Sequence, residues 1–204
     1  MPEFNRRVLE SLREPLESGV VAISRAALQV EYPARFQLVA AMNPCPCGYL
    51  GEPTGNCRCA PPEIARYRAR ISGPLLDRID VRVAVPAVGS EELFGESAPV
   101  NALTTAQAAE RVRAAQDLQR ARAGKLNAEL TGKELQSFCG LDRQSRRLLA
   151  QARARLALSA RGVHRVLRVA RTIADLAGEE TVALPHLAEA VRYRMLGDRG
   201  TPAE

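Results

Sequence analysis

The 204-residue sequence has no tryptophan, only four phenylalanines and four tyrosines, and two lysines (Lys125 and Lys133) against 27 arginines. A core this poor in aromatics must be aliphatic, which suits packed helices better than a β-sandwich. No run approaches the ~18 uncharged apolar residues that a membrane span needs. The opening Met-Pro-Glu-Phe-Asn-Arg-Arg has no apolar core for a signal peptide. A soluble, cytoplasmic chain with no membrane partner is therefore expected. With 46% apolar and 25% charged residues, the composition excludes a disordered, collagenous or low-complexity chain. The net charge of +6 is spread: residues 1–88 carry 11 basic and 9 acidic side chains, and residues 89–204 carry 18 and 14. Neither half is basic enough to mark a nucleic-acid binder by charge alone.

Cysteine is also scarce, but four of the five fall within fifteen residues: Cys45, Cys47, Cys57 and Cys59, with Cys139 apart. A secreted disulfide scaffold would spread them, so clustering points to metal. Four thiolates saturate a tetrahedral Zn²⁺ and would order a loop that has no core of its own, leaving no open position for catalysis. Unmetallated thiols and a disulfide are the competing readings, since one residue within each pair is a less usual spacing than two.

Val8, Leu9, Leu12 and Leu16 recur at helical spacing and predict a helix over Arg6–Leu16, stopped by Gly19. Val20–Ser24 and Leu28–Val30 predict a hairpin turning around Arg25–Ala27. Phe36–Met42 has the length and unbroken apolarity of a strand buried on both faces. Residues 44–62, with five Pro, three Gly and the four Cys, predict an irregular loop. A short helix over Glu63–Arg70 and a strand over Ile79–Val85 follow. The composition of 89–101 marks a linker between a strand-containing part, 1–88, and an all-helical part, 102–204. Helices are expected near 104–122, 131–138, 142–157, 160–176 and 185–195, with Asp142 and Ser159 as N-caps and Gly178 as a stop. The first part has central-strand sequences but too few strands for a complete sheet, so it reads as the back of a larger α/β domain.

Several ordered words make the chain recognisable: Pro-Glu-Phe at 2–4, Leu-Arg-Glu-Pro-Leu-Glu at 12–17, Ile-Ser-Arg-Ala at 23–26, Leu-Val-Ala-Ala-Met-Asn-Pro-Cys-Pro-Cys-Gly at 38–48, and Arg-Ile-Ser-Gly-Pro-Leu-Leu-Asp-Arg-Ile-Asp at 70–80. Leu-Ser-Ala-Arg at 158–161 and Arg-Val-Ala-Arg-Thr-Ile-Ala-Asp-Leu at 168–176 extend the match to the second part. Together they resemble the Mg-chelatase-like AAA+ ATPases of the YifB/ComM type. The resemblance implies an α/β fold: part of an AAA+ (P-loop NTPase) core with a pre-sensor hairpin and a Cys-rich loop, then an all-α lid. In that family Pro-Glu-Phe follows the Asp-Glu pair that holds Mg²⁺, and here Met1 stands just after where the pair would be. No Gly-x-x-x-x-Gly-Lys-[Ser/Thr] loop is present either: Gly124-Lys125 is followed by Leu126, and Gly132-Lys133 by Glu134. The resemblance therefore implies a C-terminal portion of an ATPase that, alone, is expected not to hydrolyse ATP.

By the same resemblance Asn43 is sensor 1, which orients the attacking water, and Arg78 is an arginine finger acting in trans within a ring, a hexamer by analogy. Arg161 is sensor 2, with Arg165 as the alternative, and both ATP and Mg²⁺ belong to the intact protein. Arg25, at the hairpin tip, is the expected DNA contact. The residues allow plainer readings: Asn43 as a turn cap, Arg78 paired with Asp77 or Asp80, Arg161 on a solvated basic face with Arg165 and Arg168, and Arg25 merely solvated. His164 is expected to be structural. The family implies DNA remodelling of the branch-migration kind. The rivals are a chelatase-type motor acting on a partner protein and an ATP-independent, zinc-bearing binding module.

Overall fold

Pro15 decides how the chain begins. It has no N–H to offer the carbonyl of Ser11 and its ring crowds that carbonyl, so the single helix predicted over Arg6–Leu16 is two: α1 (Arg6–Ser11) and α2 (Arg13–Ser18), parted at Leu12. The computed structural model describes residues 1–25, 28–52, 55–86 and 103–195, which fall into two compact units, Met1–Ile79 and the residues from Asp80 onward. The linker expected at 89–101, and the turn residues Ala26 and Ala27, lie outside the described residues.

In the first unit, Gly19 ends α2 in the left-handed conformation that glycine alone adopts freely (φ +71°). The expected hairpin follows: β1 (Val20–Arg25) pairs antiparallel with β2 (Leu28–Pro33), from Val20 opposite Pro33 to Arg25 opposite Leu28. Next come α3 (Pro61–Arg68) and a one-turn helix, α4 (Gly73–Leu76), too short to announce itself in the sequence. Leu9, Ile71 and Leu75 form the unit's small core, with Leu12, Leu16 and Leu76 against it.

The two strands expected over Phe36–Met42 and Ile79–Val85 are not strands. The two-stranded β1–β2 sheet is all the sheet among the described residues. A strand buried on both faces needs a ladder on both edges, and no described segment supplies one. Their side chains accordingly face water: Val39 and Val85 are each 85% exposed and Val83 62%. The fold is mixed α/β with helices dominant.

The second unit is the helical one: α5 (Thr105–Ala123), a 3₁₀ turn (Asn127–Glu129), α6 (Gly132–Cys139), α7 (Arg143–Arg155), α8 (Ala160–Leu176) and α9 (Leu184–Met195). Its ends are capped by local chemistry. Asp142 accepts from the Ser145 N–H at 2.7 Å, Ser159 from the Gly162 N–H at 3.1 Å, and Thr131 forms a capping box with Glu134. One connection is strained: Ala157, between α7 and α8, has φ +48°, with the Leu158 N–H reaching back to the Arg153 carbonyl at 3.0 Å. Leu130, Leu135, Val166, Leu167, Ala170, Ala174, Leu187 and Val191 build the aliphatic core. His164, on α8, lies beside Gly132. A β-carbon on Gly132 would stand only 2.7 Å from the Cε1 of its ring, so a side chain there would require the ring to move.

Charge lies inside this core too. Asp175 is 3% exposed and Arg171 is fully buried. Arg122 grips the Asp175 carboxylate with two nitrogens at 2.6 and 2.8 Å, Asn127 donates to it at 2.8 Å, and Arg171 Nε donates at 3.1 Å. Burial alone would raise the Asp175 carboxyl, but the hydrogen bonds from Arg122 and Asn127 and the charge of Arg171 hold it below the ordinary carboxylate range. A depressed carboxylate stabilises the fold above its unfolded pKa and loses that contribution as pH falls through its folded value. We expect Asp175→Asn to cost ~3–5 kcal/mol in chemical denaturation at pH 7, as for a broken buried ion pair. Stability of the wild-type chain should decline as pH falls below about 4, and that decline should be shallower in the variant.

Candidate functional site

The loop from Pro44 to Ala60 has little apolar side chain to bury, so hydrogen-bonded turns shape it. The Gly48 N–H donates to the Cys45 carbonyl at 3.1 Å and the Glu52 N–H to that of Tyr49 at 3.2 Å. Gly48 and Gly51 take φ near +88°, open only to glycine at low cost. Arg68 on α3 holds the entry to the loop, donating from Nε and Nη2 to the Pro44 carbonyl, each at 3.2 Å.

These turns bring all four predicted cysteines together, their sulfurs within 4.8 Å of one another. Sγ of Cys45 lies 3.4 Å from that of Cys47 and 3.7 Å from that of Cys57, and Cys47 lies 3.7 Å from Cys57. A tetrahedron with Zn–S bonds of about 2.3 Å has edges of about 3.8 Å, so the group has the size of a four-thiolate zinc site. None of the four is in a disulfide, and Cys45 is wholly buried.

Electrostatics divides the thiols. The backbone N–H of Tyr49 donates to Cys47 and, with that of Arg58 and the thiols of Cys45 and Cys59, holds it down to about 6 against desolvation. At Cys59 the Cys47 N–H pulls downward, but the adjoining Cys47 sulfur, desolvation and Cys45 outweigh it and push the thiol up to about 12. At Cys57 the Cys59 N–H likewise lowers, and desolvation with Cys47 and Cys45 raises by more. Negative charges this close cannot accumulate alone, and a divalent cation removes the conflict by neutralising them jointly. The donor set therefore fits Zn²⁺. Cys139 lies elsewhere, buried against the Leu167 carbonyl, and desolvation first of all pushes it up to about 11.

The other expected residues are placed as follows. Asn43 stands at the start of the cysteine loop, its amide about 4 Å from where a β-carbon on Gly48 would be. Arg78 is held within its own unit: its Nε donates to the Arg13 carbonyl at 3.0 Å and lies 3.3 Å from Glu17, and its Nη1 donates to the Pro74 carbonyl at 2.8 Å. Asp80 is held by Arg165, at 2.7 Å. The solvated basic face expected on α8 is therefore divided. Arg161 is exposed, Arg165 is 6% exposed in its ion pair, and Arg168 donates to the Leu130 carbonyl at 2.7 Å. The backbone of Arg25 ends β1.

Sequence reasoning missed the Arg122–Asp175–Arg171 cluster. The available signal was Arg171 and Asp175 at i, i+4 inside the apolar stripe of α8, where exposed charge does not belong.

Comparison with known proteins gives two consecutive family matches: residues 1–93 to magnesium chelatase, subunit ChlI, and residues 102–194 to the ChlI C-terminal model. Over 199 residues, 96% of this chain, it is 48% identical to competence protein ComM of Haemophilus influenzae, covering 38% of that protein. It is 43% identical over 197 residues to the uncharacterized protein YifB of Escherichia coli, with 96% of this chain and 38% of the relative covered. Identity to an uncharacterized protein of Mycobacterium tuberculosis is 37% over 201 residues, 97% of this chain and 39% of that one. The chain thus spans about two fifths of the length of these curated relatives. Among the described residues, no helix is long and apolar enough to cross a membrane.

The cluster generates a direct expectation. Protein purified without chelator should carry about one Zn²⁺ per chain by elemental analysis, and a Cys57→Ser, Cys59→Ser double variant should lose it. Cys139→Ser should leave metal content unchanged.

Proposed function

The chain belongs to the magnesium chelatase subunit ChlI family, and from that premise we propose that it is the sensor and lid portion of a ring-forming, hexameric AAA+ ATPase that couples ATP hydrolysis to DNA remodelling of the branch-migration kind. The observation that carries this reading is the 48% identity to ComM over 96% of the chain. In this reading residues 1–88 are the back of the ATPase core, 89–101 the linker and 102–204 the lid. Asn43 orients the attacking water. Arg78 reaches a neighbouring subunit's nucleotide and offsets charge developing in phosphoryl transfer, a role worth ~10³–10⁵ in rate. Arg161, or Arg165 in its place, answers from the lid, and Arg25 touches DNA from the hairpin. The zinc loop is structural, a four-ligand cap on the segment that begins with Asn43. The exposure of Arg161 supports it over Arg165, which would have to leave Asp80 to act.

The sequence has no phosphate-cradling loop with its lysine, so these residues do not by themselves make an ATP site. ATP and Mg²⁺ are properties of the intact ATPase. A second reading, a chelatase-type motor acting on a partner protein, is favoured by the descriptions of both matched families. Stimulation of the intact protein's turnover by DNA separates the two.

The test uses the intact ATPase. Arg78→Ala should abolish hydrolysis and leave nucleotide affinity nearly unchanged, because a group that acts on transition-state charge affects rate more than ground-state binding. Since Arg78 also meets Glu17, the control is Glu17→Gln, which should keep the hydrolysis rate. If both variants lose the same activity and the same melting temperature, Arg78 is a structural residue and the trans role is wrong. Mixing Arg78→Ala subunits with subunits lacking the Mg²⁺-binding acidic pair should restore turnover in part.

A further inference from the structure

Between Asp142 and Asp175 the chain has nine arginines and not one aspartate or glutamate. The fold consumes three of them. Arg165 is tied to Asp80, Arg168 to the Leu130 carbonyl and Arg171 to Asp175. Five of the rest, Arg143, Arg146, Arg147, Arg153 and Arg155, lie on α7, and all five are exposed. None of them is in an ion pair with a described residue. Arg146 is braced, donating from Nε to the Leu141 carbonyl at 2.9 Å. Asp142, just before the helix, is occupied in capping it at Ser145. An arginine surplus spread by composition alone would be interleaved with acids, as it is on α5, where Arg120 pairs with Asp117.

We propose that the exposed face of α7 is a binding surface for the phosphate backbone of a nucleic acid. At 1.5 Å per residue the thirteen-residue helix runs about 20 Å, about the axial span of six phosphates along one DNA strand. Arg143 and Arg147 sit one turn apart at its start, and toward its end Arg153 and Arg155, two residues apart, flank that line on either side. Between them the surface residues are Ala150, Gln151 and Ala154, short or amide-bearing side chains that let a phosphate chain come close. A shallow groove of about 420 Å³, lined by Gln144, Arg147, Leu148, Gln151, Leu184 and Ala188, runs alongside with no carboxylate on its walls. Arginine's planar fork matches phosphate oxygens two at a time.

Two other anionic partners fit less well. A membrane surface calls for large apolar side chains facing out beside the basic ones, but Leu148 and Leu149 of α7, and Leu156 at its C-cap, pack against the core. An acidic protein calls for an aromatic or aliphatic anchor in the patch, and the exposed residues of α7 include none. This surface lies on the helical unit, away in sequence from Arg25. It is independent of the ATPase assignment and shares with it only the choice of DNA.

The test takes the 204-residue chain and a fluorescein-labelled, mixed-sequence 30-base-pair DNA duplex, with binding read by anisotropy from 50 to 300 mM KCl. The triple variant Arg143→Ser, Arg147→Ser, Arg153→Ser should bind at least tenfold more weakly at 100 mM salt. Its slope of log affinity against log salt should shrink by roughly 2–3, about 0.9 for each phosphate that is no longer neutralised. The corresponding Arg→Lys triple variant should retain most of the slope. Because these side chains are exposed, melting temperatures should agree within a few degrees, so a folding defect is distinguishable. Arg25→Ala, measured in parallel, reports on the hairpin alone. No binding of the duplex by the wild-type chain, or an unchanged slope in the serine variant, would overturn the proposal. So would tighter binding to vesicles containing 30% phosphatidylserine than to DNA, which would make α7 a membrane-facing helix.

Discussion

One buried carboxylate organises the helical unit. Asp175 sits where water cannot reach it, and an uncompensated charge there costs several kcal/mol. Its compensation comes from separate elements: Arg122 at the end of α5, Asn127 in the 3₁₀ turn and Arg171 one turn earlier on α8. Arg171 passes the constraint on, donating to the carbonyls of Glu179 and Glu180 just beyond α8 and, at 3.4 Å, to that of Phe138 in α6. Hydrophobic packing is tolerant of direction, but a bidentate guanidinium is not. The aliphatic residues provide the driving force and the polar cluster selects one arrangement of it.

The same division separates the arginines by role. Those on α8 that face the interior are consumed in holding the unit together, while those on α7 face solvent with nothing acidic between them. Arg165 shows how a partner decides burial. On a helical wheel it belongs with Arg161, yet it is buried in its bond to Asp80, and of the two only Arg161 is exposed.

How much of this could be read beforehand depended on how local the determinants were. Helices with their own caps were legible to within a residue or two: Ser159 and Gly178 bracket α8, and Asp142 opens α7. The cysteine cluster was legible because four ligands in fifteen residues need only turns to meet. Phe36–Met42 and Ile79–Val85 were misread because strand formation depends on partners elsewhere, and apolarity in a segment does not reveal whether a neighbour exists to pair with it. The partners of Arg78 and Asp175 were invisible for a related reason: Arg13 and Arg122 lie 65 and 53 residues away. The basic character of α7 was hidden by averaging charge over half the chain, and a window of one helix would have shown it.

Ala157 adds a mechanical property to the connection between α7 and α8. A left-handed turn is the usual place for glycine, whose missing side chain leaves other backbone states open. A methyl group makes the observed state dearer by roughly 1 kcal/mol, but it also closes off much of the space into which the joint could otherwise swing. Alanine at this hinge exchanges some stability for stiffness, so the arginine-rich helix and the helix that carries Arg161 are coupled as levers with little play between them.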